Sequence, residues 1–259
     1  MFLKASINGG RSRAENGAVP LSPEEIAQAA SRATALGAAV VHAHARTATG
    51  EQTIHPDEIG AMVRAVRAVD PSVIIGTTTG LWTCSGHEER MQLVAAWPED
   101  ALPDFASVTF AEEGGSEAAQ LVIDRGMVLE SAVWSMADVP GLLASPTLLD
   151  NVRILIEPEV EDPETAVAAC REMAAAIRAA GVTASLLYHG YDASTWPIVQ
   201  AAIEDGVETR IGYEDVLVLP DGSVAESNDA LITAVFDQVA AHRRPAHPAS
   251  LRPHAEGGR

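Results

Sequence analysis

SPEEIAQAASRATALGAAVVHAHA, residues 22–45, joins one helical period to one strand and decides how the rest of the chain is read. Ser22 stands as an N-cap, Pro23 at the first helical position and Glu25 three residues after the cap, and Gly37 closes the run. That pattern predicts a helix over 22–37. The apolar stretch AAVVHAHA (38–45) then reads as a buried strand. The same alternation runs through the chain. Strand-like stretches fall at 2–8, 72–79, 105–110, 128–134, 152–158, 184–190 and 207–215, which makes eight with 38–45. Helical segments lie between them, among them 162–181, opened by Asp162-Pro163 and closed by Gly181, and 227–244, capped by Ser227 or Asn228. Eight strand–helix units in a chain of 259 residues predict an α/β fold, a single-domain (β/α)8 TIM barrel over residues 1–245. An open doubly wound sheet would place a GxGxxG after its first strand, and INGGRS (7–12) has the wrong spacing. The Pro-, Ala- and Gly-rich residues 246–259 are read as a C-terminal tail that frays.

Composition narrows the function. Hydrophobic residues make up 47% and charged residues 20%, as in a globular domain with a sizeable core. The net charge of −19 argues against nucleic acid or an anionic membrane as partner. No apolar run approaches the roughly 18–20 residues of a membrane span, and MFLKASINGG lacks a signal-peptide h-region, so the expected location is cytoplasmic. Cys84 and Cys170 have no metal-ligand or disulfide spacing.

The chemistry concentrates at strand ends. His42 and His44, two apart, share a face at the C-terminal end of the second strand, which is the barrel mouth. Two imidazoles roughly 6–7 Å apart on one strand face chelate a divalent ion readily; the alternative is a pair of hydrogen-bonded core histidines. In ETRIGYED (208–215) the alternation puts Arg210, Gly212 and Glu214 on one face. Charges facing a barrel interior need partners, and Gly212 is read as leaving room above it. Glu214 is the candidate third ligand of a His2Glu site with an open position, with Asp215 pairing Arg210 across the strand end; the alternative is a surface salt-bridge cluster. Asn8, Thr78, Thr79, Ser107, Glu157 and His189 supply further polar strand ends. Lys4 is the only lysine and lies deep on the first strand. That disfavours a Schiff-base aldolase and a binuclear amidohydrolase, which needs a mid-chain lysine to bridge its metals.

KASINGGR (4–11), VPLSPEEIA (19–27), GAAVVHAHAR (37–46), IIGTTTG (74–80) and TRIGYEDVLVLPDGSVAESNDALI (209–232) resemble the β-keto acid cleavage enzymes, the group typified by the 3-keto-5-aminohexanoate cleavage enzyme. The resemblance spans nearly the whole barrel and is weakest over 85–150. It implies a zinc (β/α)8 barrel in which a β-keto acid and acetyl-CoA give acetoacetate and a new acyl-CoA. It implies His42, His44 and Glu214 as zinc ligands, Arg210 and Asp215 as the pair that generates the reactive carboxylate species, with Asp215 held by Arg210 as the candidate base, and Thr78 and Ser107 as substrate contacts. Asn8 and Thr79 are added as substrate contacts at the barrel mouth. Arg11 stands where amino-substrate members carry a Glu, so it is read as favouring an anionic or uncharged acyl chain; contacts to CoA phosphates or to a neighbouring subunit are its alternatives. The family also implies a homo-oligomer, a tetramer or dimer. The competing readings are a mononuclear metal-dependent hydrolase or class II-type aldolase acting without CoA, and a barrel that binds metal or metabolite without reacting.

Overall fold

The computed structural model describes residues 1–160 and 162–242. The proposed tail, 246–259, and the last residues of the 227–244 helix lie outside them. Eight parallel strands follow one another around a closed barrel in sequence order, the last pairing with the first. They are β1 (Leu3–Ser6), β2 (Val40–His42), β3 (Ile75–Thr78), β4 (Phe105–Thr109), β5 (Val128–Val133), β6 (Asn151–Ile156), β7 (Ser185–Tyr188) and β8 (Glu208–Ile211). Each is followed by a helix: α1 (Pro23–Ala35), α2 (Pro56–Val69), α3 (His87–Ala95), α4 (Gly115–Asp124), α5 (Val139–Ala144), α6 (Pro163–Ala179), α7 (Thr195–Asp205) and α8 (Asn228–His242). Among the described residues no helix is long and apolar enough to cross a membrane.

The start signals act as their chemistry requires. The Ser22 hydroxyl accepts from Glu25 N at 3.3 Å while the Glu25 carboxylate accepts from Ser22 N at 3.0 Å, closing the capping box of α1. Asp162 caps α6 through Thr165 N, and Ser227 rather than Asn228 caps α8, through Ala230 N. The outward faces of the strands pack on the helices: Val41 and Ile75 meet Ile26, Ile59 and Met62, and Ile154 and Leu186 meet Met173 and Ile177. Each such burial stabilises by roughly 1.5–3 kcal/mol.

The strands are shorter than the apolar runs suggest. β2 ends at His42 and His44 lies beyond it, because there the backbone bonds to a side chain instead of a neighbouring strand. The Asn8 carboxamide accepts from His44 N at 2.8 Å and donates to His44 O at 2.9 Å. Gly212 also works differently from its sequence reading. A Cβ there would stand 2.0 Å from the Ser6 carbonyl oxygen, so the missing side chain lets the end of β8 lie against β1 and close the barrel rather than opening space above it.

The lower barrel interior is charged. Lys4 and Glu130, both fully buried, pair with each other. Glu130 also pairs with Arg153, which reaches Glu208 at 2.7 Å and lies with its guanidinium 4.0 Å from the Phe2 ring centre. Ala132, Leu155 and Leu187 fill the space beside this chain of ions.

Candidate metal centre and active site

At the opposite end of the barrel, His42, His44 and Glu214 converge, with ligand atoms all within 4.8 Å of one another. The two histidine Nε2 atoms are 3.0 Å apart. Glu214 Oε2 stands 3.7 Å from His42 Nε2, and its Oε1 stands 3.7 Å from His44 Nε2. Two ligands about 2.0–2.1 Å from a tetrahedral zinc are separated by about 3.3 Å, so the triangle is the right size.

The protonation states fit as well. Burial pushes both imidazoles below their usual range, against the pull of Glu214, which leaves them as neutral ligands. Burial alone would raise the Glu214 carboxyl, but its charged neighbours, Arg210 foremost, more than reverse that, so it stays ionised. Its Oε2 is buried without a hydrogen-bond partner. Two neutral ring nitrogens face each other beside an unsatisfied carboxylate oxygen, and a divalent cation satisfies all three.

Neighbouring residues hold the ligands. Asn8 fixes the backbone of His44, as above. Gln52 Oε1 accepts from His44 Nδ1 and from Trp82 Nε1, the latter at 3.3 Å. With two N–H donors on one oxygen, the network assigns the proton of His44 to Nδ1 and leaves Nε2 for a metal. Glu214 lies across Gly9, whose φ is +46° and where a Cβ would stand 2.1 Å from Glu214 Cγ. Arg46 pins that turn by donating to the carbonyls of Gly9 and Arg11.

Beside the triangle is a chain of alternating charges. Arg210 Nη2 donates to Glu214 Oε1 and to Asp215 Oδ1, both at 2.7 Å. Asp215 Oδ1 also receives Arg210 Nε at 3.1 Å and His189 Nε2 at 2.9 Å. The other oxygen, Oδ2, is buried and receives nothing. On its far side His189 Nδ1 lies 3.2 Å from Glu157 Oε1, and Glu157 Oε2 accepts from Trp134 Nε1 at 3.1 Å. For Glu157 and His189 burial works against the charge, yet the neighbours prevail. Glu157 is held down at about 2, chiefly by His189 and Arg210, and His189 is raised by Asp215 and Glu157 against both burial and Arg210.

The expected metal ligands and the Arg210–Asp215 pair are therefore brought together. The five expected substrate contacts divide. The Thr78 hydroxyl accepts from Gly80 N at 2.9 Å, which leaves its own proton free, and the Ser107 side chain makes no hydrogen bond among the described residues. Thr79 instead spends its hydroxyl proton on the Ser107 carbonyl, at 2.8 Å. Asn8 donates to Pro20 O as well as to His44 O, so its carboxamide is wholly engaged in holding backbone. Arg11 pairs with Asp192 and, at 3.2 Å, with Glu15, and its guanidinium lies 4.4 Å from the Tyr191 ring centre. Its charge is compensated within this chain, which removes the reason for reading it as a selector of anionic substrates.

Sequence reading placed His189 and Glu157 at strand ends but gave them no role. The rule applied to His42, a polar side chain at the end of an apolar strand, is the signal that marks them. Gln52 carried no signal of its own, because it reaches the site only through the bridge that pairs it with Arg46.

A family model described as beta-keto acid cleavage enzyme matches residues 1–255. Two curated relatives bear the name 3-keto-5-aminohexanoate cleavage enzyme. The one from Fusobacterium nucleatum is 26% identical, over 91% of this chain and 89% of its own length. The one from Acetoanaerobium sticklandii is 27% identical, over 97% and 96%. Among solved structures, apo ObcA superposes with a TM-score of 0.71 at 19% identity. The match covers 86% of this chain but only 62% of ObcA, so the present chain spans less than two thirds of that protein's length. ObcA has also been solved with oxaloacetate and with a C4-CoA adduct and oxalate; at this identity the likeness is one of fold.

Proposed function

The chain belongs to the β-keto acid cleavage enzyme family, and from that premise we propose that it is a zinc-dependent acyltransferase converting a β-keto acid and acetyl-CoA into acetoacetate and the corresponding acyl-CoA. The observation that carries this reading is the adjacency of the His42–His44–Glu214 triangle to an Asp215 whose Oδ1 is fully engaged and whose Oδ2 is free.

In the exchange the bond between the keto carbon and C2 of the β-keto acid breaks. The C2–carboxylate fragment joins the acetyl carbon as the acetyl–sulfur bond breaks, the released acyl group joins the CoA sulfur, and the proton taken from C2 returns to it. His42, His44 and Glu214 would hold the zinc, a choice that follows from the two-imidazole, one-carboxylate donor set. When bound, it supplies Lewis acidity to the oxygens of the keto acid.

The chain's own residues do the remaining work. Asp215 Oδ2 takes the proton from the carbon acid. Oδ1 is fixed by Arg210 and His189, so the carboxylate cannot rotate away, and the base is aimed before substrate arrives. Arg210 also spans Glu214 and Asp215, donating to both carboxylates and fixing them side by side. Thr78 and Ser107, paired across β3 and β4, offer hydroxyls to the substrate carboxylate. Asn8, Thr79 and Arg11 act one step back, by holding His44, the Ser107 backbone and the loop after β7.

The test is mass spectrometry of products after zinc-loaded protein is incubated with acetyl-CoA and a pool of β-keto acids. A new acyl-CoA accompanied by acetoacetate is expected. Cleavage that proceeds without CoA would overturn the proposal in favour of a metal-dependent lyase or hydrolase.

A further inference from the structure

A cavity of about 820 Å³ opens beside Glu214, far more than the head of a β-keto acid fills. Its lining includes Trp82, Trp134, Pro158, Val160, Tyr191 and Ala193. The indoles lean together with centres 6.4 Å apart and planes inclined by 31°, too close for a third ring to enter between them. They form one continuous apolar wall. Both are pinned by their N–H groups, Trp82 to Gln52 and Trp134 to Glu157. Trp82 also stacks on the ligand His44, with ring centres 6.5 Å apart. The wall therefore begins at the metal triangle and runs outward to solvent, where Trp82 and Tyr191 are half exposed.

The charges around the cavity decide what chain can lie there. The one basic residue in its lining, His189, is shared between Glu157 and Asp215, and Arg11, which contacts the lining only through Asp192 and Tyr191, is shared between Asp192 and Glu15. An anionic acyl chain would enter among carboxylates with no free cation to meet it. A cationic chain would find only Glu159 without an ion pair among the described residues. That side chain is exposed at the rim, where a single pair contributes little. An uncharged apolar chain loses nothing and gains the indole faces.

We propose that the side chain of the β-keto acid lies along the Trp82–Trp134 wall, and that the enzyme selects uncharged, apolar acyl chains longer than methyl. This rests on the reaction proposed above for the identity of the substrate head, and the test separates the two. Binding to zinc-loaded protein is measured by titration calorimetry without CoA, for 3-oxobutanoate, 3-oxohexanoate and 3-oxooctanoate. The anionic 3-oxoadipate and the cationic 3-oxo-5-aminohexanoate serve as charged comparators. Affinity should rise up to about fourfold per added methylene, with both charged acids at least about tenfold weaker than 3-oxohexanoate, as burial of an uncompensated charge requires. Trp134→Ala should flatten the chain-length dependence, and Trp134→Phe should keep most of it. A flat series in the unmodified protein, or a charged acid binding tightest, overturns the proposal. Acyl-CoA formation is then followed with the same acids. A steep binding series without acyl-CoA supports the pocket and overturns the reaction, whereas acyl-CoA formed with equal efficiency from the four acids other than 3-oxobutanoate, whose exchange regenerates acetyl-CoA, supports the reaction and overturns the pocket.

Discussion

The two ends of this barrel both bury charges, and they bury them differently. At the lower end, Lys4 and Arg153 face Glu130 and Glu208, two of each sign, with every charged group engaged. At the mouth, Glu157, Glu214 and Asp215 outnumber Arg210 and His189, and Glu214 Oε2 and Asp215 Oδ2 are left without partners. A balanced, saturated cluster has nothing left to offer a ligand and serves the fold. An unbalanced cluster with free lone pairs invites a divalent cation and a carbon acid. Composition alone would not separate them; the unfilled valences do.

The sharpest way to break this contrast is Glu214→Gln, which keeps the shape and removes the charge. The expected loss is at least about a thousandfold in activity, with zinc content by mass spectrometry falling to background and the melting temperature close to that of the metal-free parent protein. Retained zinc would show that the imbalance at the mouth does not hold the metal. Lys4→Met is the reverse test at the lower end. It strands part of the Glu130 charge, so urea unfolding should show a loss of about 3–5 kcal/mol, while zinc affinity measured by chelator competition stays the same. A weaker metal site in that variant would mean that the two ends are coupled.

Acid separates them next. The Glu157 carboxyl sits at about 2 in the fold against an ordinary value of 4.5. Its pairing therefore stabilises above the ordinary value and is lost as pH falls from there toward about 2, a contribution on the order of 2–3 kcal/mol. Glu157→Gln should lose stability at neutral pH and converge with the parent protein across that window; parallel stability curves would refute the assignment. His189 titrates with the opposite sign. Raised in the fold, its charge stabilises fully below its ordinary pKa, and the effect fades as pH rises through the folded value. The smallest expected effect sharpens the mouth itself. Gln52→Ala removes the acceptor that orients His44 and should weaken zinc binding about 10–100-fold, whereas Gln52→Glu, which still accepts, should largely restore it.

The repeating order of elements was legible because each strand is an apolar run and several helices carry explicit caps, Ser22 with Glu25 and Asp162 with Pro163 being the clearest. Strand ends were harder to place, since where β2 stops depends on Asn8, which lies 36 residues from His44. The ligand triangle was legible because His42, His44 and Glu214 are polar residues at the ends of two apolar runs, even though His44 and Glu214 lie past the last residues of β2 and β8. The residues that orient it were not. Gln52 and Trp82 lie on loops where no periodicity operates, and the engagement of Arg11 by Asp192 spans 181 residues of sequence. Charge in a sequence announces that a partner is needed without saying which one arrives.

One contact reaches beyond the finished structure. Gly212 lies against the Ser6 carbonyl, and close by the Asn228 side chain ties Ile7 O to Tyr213 N, sewing the last strand to the first. Two corners of the metal triangle are made by residue 44, and the third arrives only at residue 214. A chain in synthesis thus carries two of its three ligands from residue 44 until residue 214, and full chelation waits for the seam. An ion held by all three corners would bind the closed barrel and not its fragments, and its arrival would then double as a latch on completed folding.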